Sequence, residues 1–199
     1  MSKLFDVEHQ LAFYGAYHHN PVNVAIHMVC VPILLWSFSV MASTIPVPAS
    51  FPVLNYTINQ YLTFELNWAS IHSILYLVYY FALEPVAALL YTPQLTLSIL
   101  TAIAFSKDPT RVSQAMILHG ISWVAQFLGH GVAEKRAPAL IDNLVGAVVL
   151  APFFVHLELL FKFGYRPALQ KKLDADVEKE LARIKKEESE KKKGGKKEL

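Results

Sequence analysis

Hydrophobic residues run through this chain in long blocks, separated by short clusters of charge and proline. From Val22 to about Ile45 no formal charge interrupts the run. Asn20-Pro21 ahead of it reads as an N-cap with proline at the first helical position. A helix that crosses a bilayer needs on the order of 20 such residues, so this segment is expected to span. Further apolar runs cover about 66–83, then from Glu84-Pro85 to Phe105, then about 113–133 after the turn Lys107-Asp108-Pro109. Glu134-Lys135-Arg136-Ala137-Pro138 ends the last of these. Residues 5–17 mix Phe5, Leu11, Phe13, Tyr14 and Tyr17 with Asp6, Glu8 and His9, the pattern of an amphipathic helix lying at a membrane surface. The segment 46–65, with Pro46, Pro48 and Pro52, reads as a loop. A fifth run, 144–161, has Pro152 in its middle and His156 and Glu158 behind it; it either spans or dips in and returns. The expected fold is all-α: a multi-span helical integral membrane protein with four spans, a re-entrant fifth segment and an N-terminal amphipathic helix.

Charge sharpens the picture. Of the 18 Lys+Arg and 16 Asp+Glu in 199 residues, 11 and 8 fall within 171–199. Residues 1–170 therefore hold 7 basic and 8 acidic groups, a net of −1. A body with so little charge excludes nucleic acid as a partner, because that affinity comes from basic contacts to phosphate. It points to the lipid bilayer as solvent for residues 1–170, the membrane-embedded domain, and leaves 171–199 as a charged, partly disordered tail, a solvated helix that dissolves into a Lys-Lys-Lys-Gly-Gly-Lys-Lys end. If the fifth run re-enters, the N-terminus, residues 134–143 and the tail share one side. The tail's lysines with Lys135-Arg136 make that side cytosolic, although Lys107 and Arg111 then fall on the other. The terminal Lys196-Lys197-Glu198-Leu199 resembles the dilysine retrieval signal of endoplasmic reticulum membrane proteins, which coat proteins read. Cys30 is the sole cysteine, so no internal disulfide and no cysteine-based metal cluster can form. The stretch Met1–Asp6 lacks the features of a signal peptide, and insertion is expected to use an internal span.

The chemistry available lies in eight histidines and the few carboxylates of the body. Ionisable groups in or beside spans are costly and therefore candidates for function. Asn23 and His27 share a helix face, and a chain turning at Asn20-Pro21 can bring His18 or His19 near His27. His119, Trp123, Gln126, His130 and Glu134 form one stripe on the fourth run, with Gly129 and Gly131 flanking His130. His119 lies about 16 Å from His130 along a helix axis, at ~1.5 Å per residue, so the two cannot share a mononuclear site. His119 and Gln126 read first as helix-joining polar residues, His72 as a core hydrogen-bonder, and His156 and Glu158 as packing residues. Histidines from the first span meeting a histidine and a carboxylate from the fourth match the coordination chemistry of non-haem Fe(II) oxygenases. No His-x-x-x-His or His-x-x-His-His box, no Gly-x-Ser-x-Gly elbow and no glycine-rich phosphate loop is present.

Two segments carry a family resemblance: Tyr17-His18-His19-Asn20-Pro21-x-Asn23-x-x-Ile26-His27, and Gln126-Phe127-x-Gly129-His130-Gly131-x-x-Glu134-Lys135-Arg136-x-Pro138-Ala139-Leu140-Ile141-Asp142-Asn143-Leu144. With Leu150-Ala151-Pro152-x-Phe154 and Leu160-Phe161-Lys162-x-Gly164 they resemble the fungal metabolism-of-phytosphingosine (Mpo) proteins over about 11–169. The loop 46–65 and the tail look particular to this chain. The resemblance implies a dioxygenase of the endoplasmic reticulum membrane that needs Fe(II). It implies action in fatty acid α-oxidation during phytosphingosine breakdown, on 2-hydroxy long-chain fatty acids and O₂. The products are the fatty acid one carbon shorter, CO₂ and water; the substrate supplies all four electrons, so no reduced cofactor is required. In the family pattern the positions of His18, His27, His130 and Glu134 recur, while His19 varies and His72, His119 and His156 lie outside it. The resemblance thus implies His18, His27 and His130 as iron ligands, with Glu134 as a fourth ligand or a carboxylate orienting a histidine. Asn23 and Gln126 are then candidates to hold substrate or oxygen, and Lys135 or Arg136 to attract the substrate carboxylate. Two other readings stay open on the residues alone: a haem-binding membrane protein, and a non-catalytic helical scaffold or lipid-binding protein.

Overall fold

The computed structural model describes residues 5–135 and 146–195; Arg136, the stretch 138–144 and the Lys196-Lys197 pair lie outside the described residues. The described chain is mostly helical, as expected. Helix α1 (Val7–Tyr17) leads through a short corner into α2 (Pro21–Ala42), where Asn20 Oδ1 accepts the Val22 N–H at 2.9 Å. That bond and the proline behind it start α2 where the sequence predicts. Helix α3 (Trp68–Leu83) opens on a reciprocal cap between Asn67 and Ser70. Glu84-Pro85 breaks it, and α4 (Pro85–Ser106) follows. Asp108 caps α5 (Pro109–Leu128), which runs on into a π-helical turn, Gly129–Glu134. A second π-helical turn, Gly146–Leu150, leads into α6 (Ala151–Lys162), and α7 (Pro167–Gly195) closes the chain.

Helices α2 and α4, each 22 residues and apolar, are long enough to cross a bilayer. The shorter apolar α3 has 16 residues. Helix α5 carries Thr110, Arg111, Ser113 and Gln114 in its first turns. Helices α6 and α7 meet at a bend of 120°, the shape of a broken span or a re-entrant loop. Length and composition therefore mark two candidate spans among the described residues, or three if that bent pair is one, where the sequence pattern alone predicts four.

The expected loop 46–65 contains an antiparallel hairpin of β1 (Asn55–Asn59) and β2 (Leu62–Glu65), pairing Asn55 with Glu65 and Thr57 with Thr63. Asn59 Oδ1 accepts the N–H groups of Tyr61 and Leu62, which closes the turn. Alternation in Asn55-Tyr56-Thr57-Ile58 and Leu62-Thr63-Phe64-Glu65 is the sequence signal for it, and the prolines upstream mask it.

Helix α2 lies at the centre and packs against α3, α4, α5 and α6. The largest core joins α3, α4 and α6, with the buried rings of Tyr80 and Phe153 stacked at 4.5 Å. Tyr76 donates its hydroxyl to Val148 O at 3.3 Å, and Tyr80 donates to Val149 O at 2.6 Å, which ties α3 to the π-helical turn before α6. Helix α1 packs against α7. Its Leu11 joins the main core beside Leu169 and Leu173 of α7, and its Ala16 and Tyr17 pack on Ile184. The first half of the expected solvated tail is thus a packed helix. A Cβ on Gly15 would stand 2.6 Å from Val177, so glycine permits the close crossing of α1 and α7.

Three polar ties set which helix ends lie together. Asn20 meets Glu134, Lys107 pairs with Glu65, and buried Glu84 takes Arg166 at 2.7 Å and the Tyr165 hydroxyl at 2.8 Å. Arg166 holds a left-handed backbone, φ 44°, to make that contact. Arg166→Ala leaves a buried carboxylate short of a charged donor, and is expected to destabilise the protein by about 1–3 kcal/mol. Thermal unfolding in detergent checks this: a midpoint several degrees lower is expected, and a wild-type midpoint would show the pair to be idle.

Candidate metal centre

Three imidazoles from three different elements converge. His18 ends α1, His27 sits in the second turn of α2, and His130 lies in the π-helical turn after α5. Their ring centroids are 4.4 Å (His18–His27), 4.9 Å (His18–His130) and 4.9 Å (His27–His130) apart. One nitrogen from each ring lies within 4.8 Å of the others, an arrangement that can hold a metal ion.

The local structure fixes which nitrogens face inward. Helix α1 stops at Tyr17, so the Tyr14 carbonyl is among the last four, which lack intrahelical partners. His18 Nδ1–H donates to it at 2.9 Å, with the imidazole stacked on the Tyr14 ring at 3.9 Å. His27 Nδ1–H donates to Asn23 O at 3.0 Å. A carbonyl only accepts, so both rings carry their proton on Nδ1 and keep the Nε2 lone pair for a ligand. His130 adds a third ring, buried in the π-helical turn, whose Nδ1 has no hydrogen-bond partner among the described residues. Burial pushes the His18 imidazole well below its ordinary value, and neighbouring His27 adds to this, so the ring stays neutral, the form that binds metal. The donor set therefore fits a transition metal.

Glu134 has a different place from that of a fourth ligand. Its carboxylate accepts the N–H of His19 at 3.0 Å, the N–H of Asn20 at 2.9 Å and the amide of Asn23 at 3.3 Å. Asn20 returns a bond from its side-chain amide to Ala133 O at 3.0 Å. The π-helical turn explains the divergence. Its i→i+5 bonding widens the helix, so His130 and Glu134 no longer stack as they would at i and i+4 of an α-helix. His130 faces the other histidines while Glu134 holds the α1–α2 corner. Gly129 makes the approach possible: a Cβ there would stand 2.6 Å from Asn23 Oδ1.

The other candidates fall apart from the centre. Asn23 is fully buried between α2 and the π turn. Gln126 lines the cavity described next, with its amide on Ser122 O at 3.4 Å. Lys135 is exposed and ends the π turn in a left-handed conformation, φ 55°, its N–H on His130 O. His119 joins helices as expected: it accepts the Trp123 indole N–H at 3.0 Å and bonds Ser37 Oγ of α2 at 2.9 Å. His156 packs on Tyr91. Sequence reasoning missed Tyr14, whose position one turn before His18 was the available signal, and the second role of Asn20.

A cavity of about 200 Å³ opens beside the three histidines, walled mostly by apolar side chains of α1, α2, α3, α5 and α6. A helical protein with a buried three-histidine centre at the head of an apolar cavity is the class that the fold and site define. The chain belongs to the family described as 2-hydroxy-palmitic acid dioxygenase Mpo1-like, whose family model matches residues 4–163. It is 40% identical over 175 residues to the Saccharomyces cerevisiae (strain ATCC 204508 / S288c) protein named 2-hydroxy-palmitic acid dioxygenase MPO1, covering 88% of this chain and 91% of that one. No solved structure matches.

Removing the Glu134 clamp frees the corner that carries His18. Glu134→Ala is expected to weaken metal affinity by about 10–100-fold, the usual loss when a ligand's outer support goes. Gly129→Ala is expected to act in the same direction through its clash with Asn23. Anaerobic metal titration of purified protein checks both; wild-type affinity in the two variants would show the clamp to be irrelevant to the centre.

Proposed function

We propose that this protein is an Fe(II)-dependent 2-hydroxy fatty acid dioxygenase of the endoplasmic reticulum membrane. In this reading it converts a 2-hydroxy long-chain acid and O₂ to the acid one carbon shorter, CO₂ and water, in the α-oxidation that follows phytosphingosine breakdown. The observation that carries the reading is the convergence of His18, His27 and His130 at the head of an apolar cavity, in a chain of this family. Convergence of three rings on one point favours a single ion over haem, and the cavity favours an enzyme over a scaffold.

His18, His27 and His130 would hold the iron, which supplies open positions for a chelating substrate and for O₂. The remaining work belongs to the chain's own residues. Tyr14 O and Asn23 O keep the His18 and His27 rings oriented. Glu134 fixes the corner between α1 and α2, and Gln126 presents an amide to the cavity beside the centre. The apolar lining takes the acyl chain and excludes water from the reacting end. Lys135 stands exposed at the rim of the π turn, and with Arg136 would draw the carboxylate to the interface.

The polar ties support four spans with a re-entrant α6. Asn20 and Glu134 are in contact, so an even number of crossings separates them, which fits α2 to α5 as four spans. Lys107 and Glu65 pair at what is then the opposite face, and Glu84 and Arg166 on the first. The tail and the N-terminus then face the cytosol, and the hairpin faces the lumen. There the sequon Asn55-Tyr56-Thr57 is exposed on β1. Endoglycosidase treatment of the membrane-expressed chain is expected to shift its mobility, and Asn55→Gln to abolish that shift; a glycan accepted only at an added C-terminal sequon would reverse the topology.

The activity test is turnover by detergent-purified protein loaded anaerobically with Fe(II), given 2-hydroxypalmitic acid and O₂ and no added reductant. The one-carbon-shorter acid is expected by mass spectrometry, and His130→Ala is expected to lose it. Activity with zinc in place of iron, or retained in His130→Ala, would overturn the assignment.

A further inference from the structure

The cavity does not stop at the histidines. It follows α2 through Val31 and Leu34 to Phe38, and α5 from His130 back to Trp123 and His119. His27 to Phe38 is eleven residues, about 16 Å at ~1.5 Å per residue, and His119 to His130 gives the same length independently. The hydrocarbon core of a bilayer is about 30 Å thick and two acyl tails deep, so one tail reaches about 15 Å. The cavity is thus one acyl tail long.

Its far end is built. The Phe38 and His72 rings meet across α2 and α3 at 4.9 Å. At the same level Ser37, His119 and Trp123 form a bonded chain across α2 and α5. Each nitrogen of His119 is taken by that chain, so the indole of Trp123 is locked in place. Among the described residues the lining has nothing beyond Phe38 on α2, nothing before His72 on α3 and nothing before His119 on α5. His72 is not the core hydrogen-bonder the sequence predicts: its Nδ1 is buried and has no partner.

We propose that His72, with Phe38 and Trp123, is the end wall that sets the length of acyl chain the enzyme accepts. The inference rests on the proposed 2-hydroxy fatty acid dioxygenase activity and adds its specificity determinant. A chain that is too long must push into this wall; one that is too short leaves part of the apolar channel unfilled. His72→Ala lengthens the channel. Leu34→Phe, about 10 Å from His27 on the same helix face, shortens it.

The test compares kcat/KM over a series of 2-hydroxy acids of graded length, with iron content measured for each variant. His72→Ala is expected to raise the preference for acids two carbons longer than the wild-type optimum by about tenfold or more. Leu34→Phe is expected to move the optimum the other way; such factors are what one or two methylenes supply in an apolar pocket. Unchanged length profiles in iron-loaded variants would overturn the wall. Absence of turnover by the wild type at every length would instead overturn the dioxygenase reading. A second measurement needs no activity. In Trp36→Phe/Trp68→Phe protein without added metal, a 2-hydroxy acid brominated at its terminal carbon should quench Trp123 fluorescence only near the optimal length. Quenching that does not depend on length would overturn the wall even where a cavity variant fails to fold.

Discussion

One carboxylate holds the site's frame. Glu134 accepts N–H bonds from His19 and Asn20, and a third from the Asn23 amide, and so ties the end of the α5 extension to the corner between α1 and α2. Charge-assisted bonds of this kind are short and about twice as strong as neutral ones. His130 lies more than a hundred residues from His18 and His27 in sequence, and no covalent link joins the two segments. Beside this tie the corner bearing His18 has the Asn20 side-chain bond to Ala133 O to join it to the π turn, with the apolar contacts of α1 behind it. Gly129 and the π turn let the carboxylate reach, the first by clearing Asn23 and the second by turning His130 away from Glu134 toward the centre.

The same economy of polar partners governs the rest of the interior. In a body with few charges each buried polar group has to find a partner within the chain. Tyr14 O, freed at the end of α1, orients His18; Tyr76 donates to a carbonyl of the π turn before α6; Trp123, His119 and Ser37 satisfy one another across α5 and α2. Buried imidazole nitrogens without a partner remain on His72, His130 and His156, and of these His130 and His72 line opposite ends of one cavity.

Much of this was legible in the chain. The helix starts at Asn20-Pro21 and Glu84-Pro85 follow from capping and proline chemistry, and the structure places them there, while α5 begins inside what reads as the Lys107-Asp108-Pro109 turn. His18, His27 and His130 could be singled out because histidine is costly near a span and because their motifs match a family. Three things could not be read. An i, i+4 stripe assumes α-helical geometry, so the π turn that separates His130 from Glu134 was invisible, and Glu134 stayed open between a fourth ligand and a carboxylate orienting a histidine. The tail's charge hid Leu169, Leu173 and Ile184, whose spacing lets α7 cover α1. The hairpin was masked by the prolines before it. His72 and Phe38 were legible only as a lone histidine and an apolar residue, since their meeting depends on how α2 and α3 pack.

In the proposed function His18, His27 and His130 together hold one iron. X-ray absorption of the Fe(II)-loaded protein counts imidazole ligands directly. Three imidazoles around one iron per chain, falling to two in His130→Ala with no change when Glu134 is made Gln, is the expected result. A spectrum with fewer than three imidazoles in the wild type, or one in which the Glu134 variant loses an oxygen ligand, would contradict it.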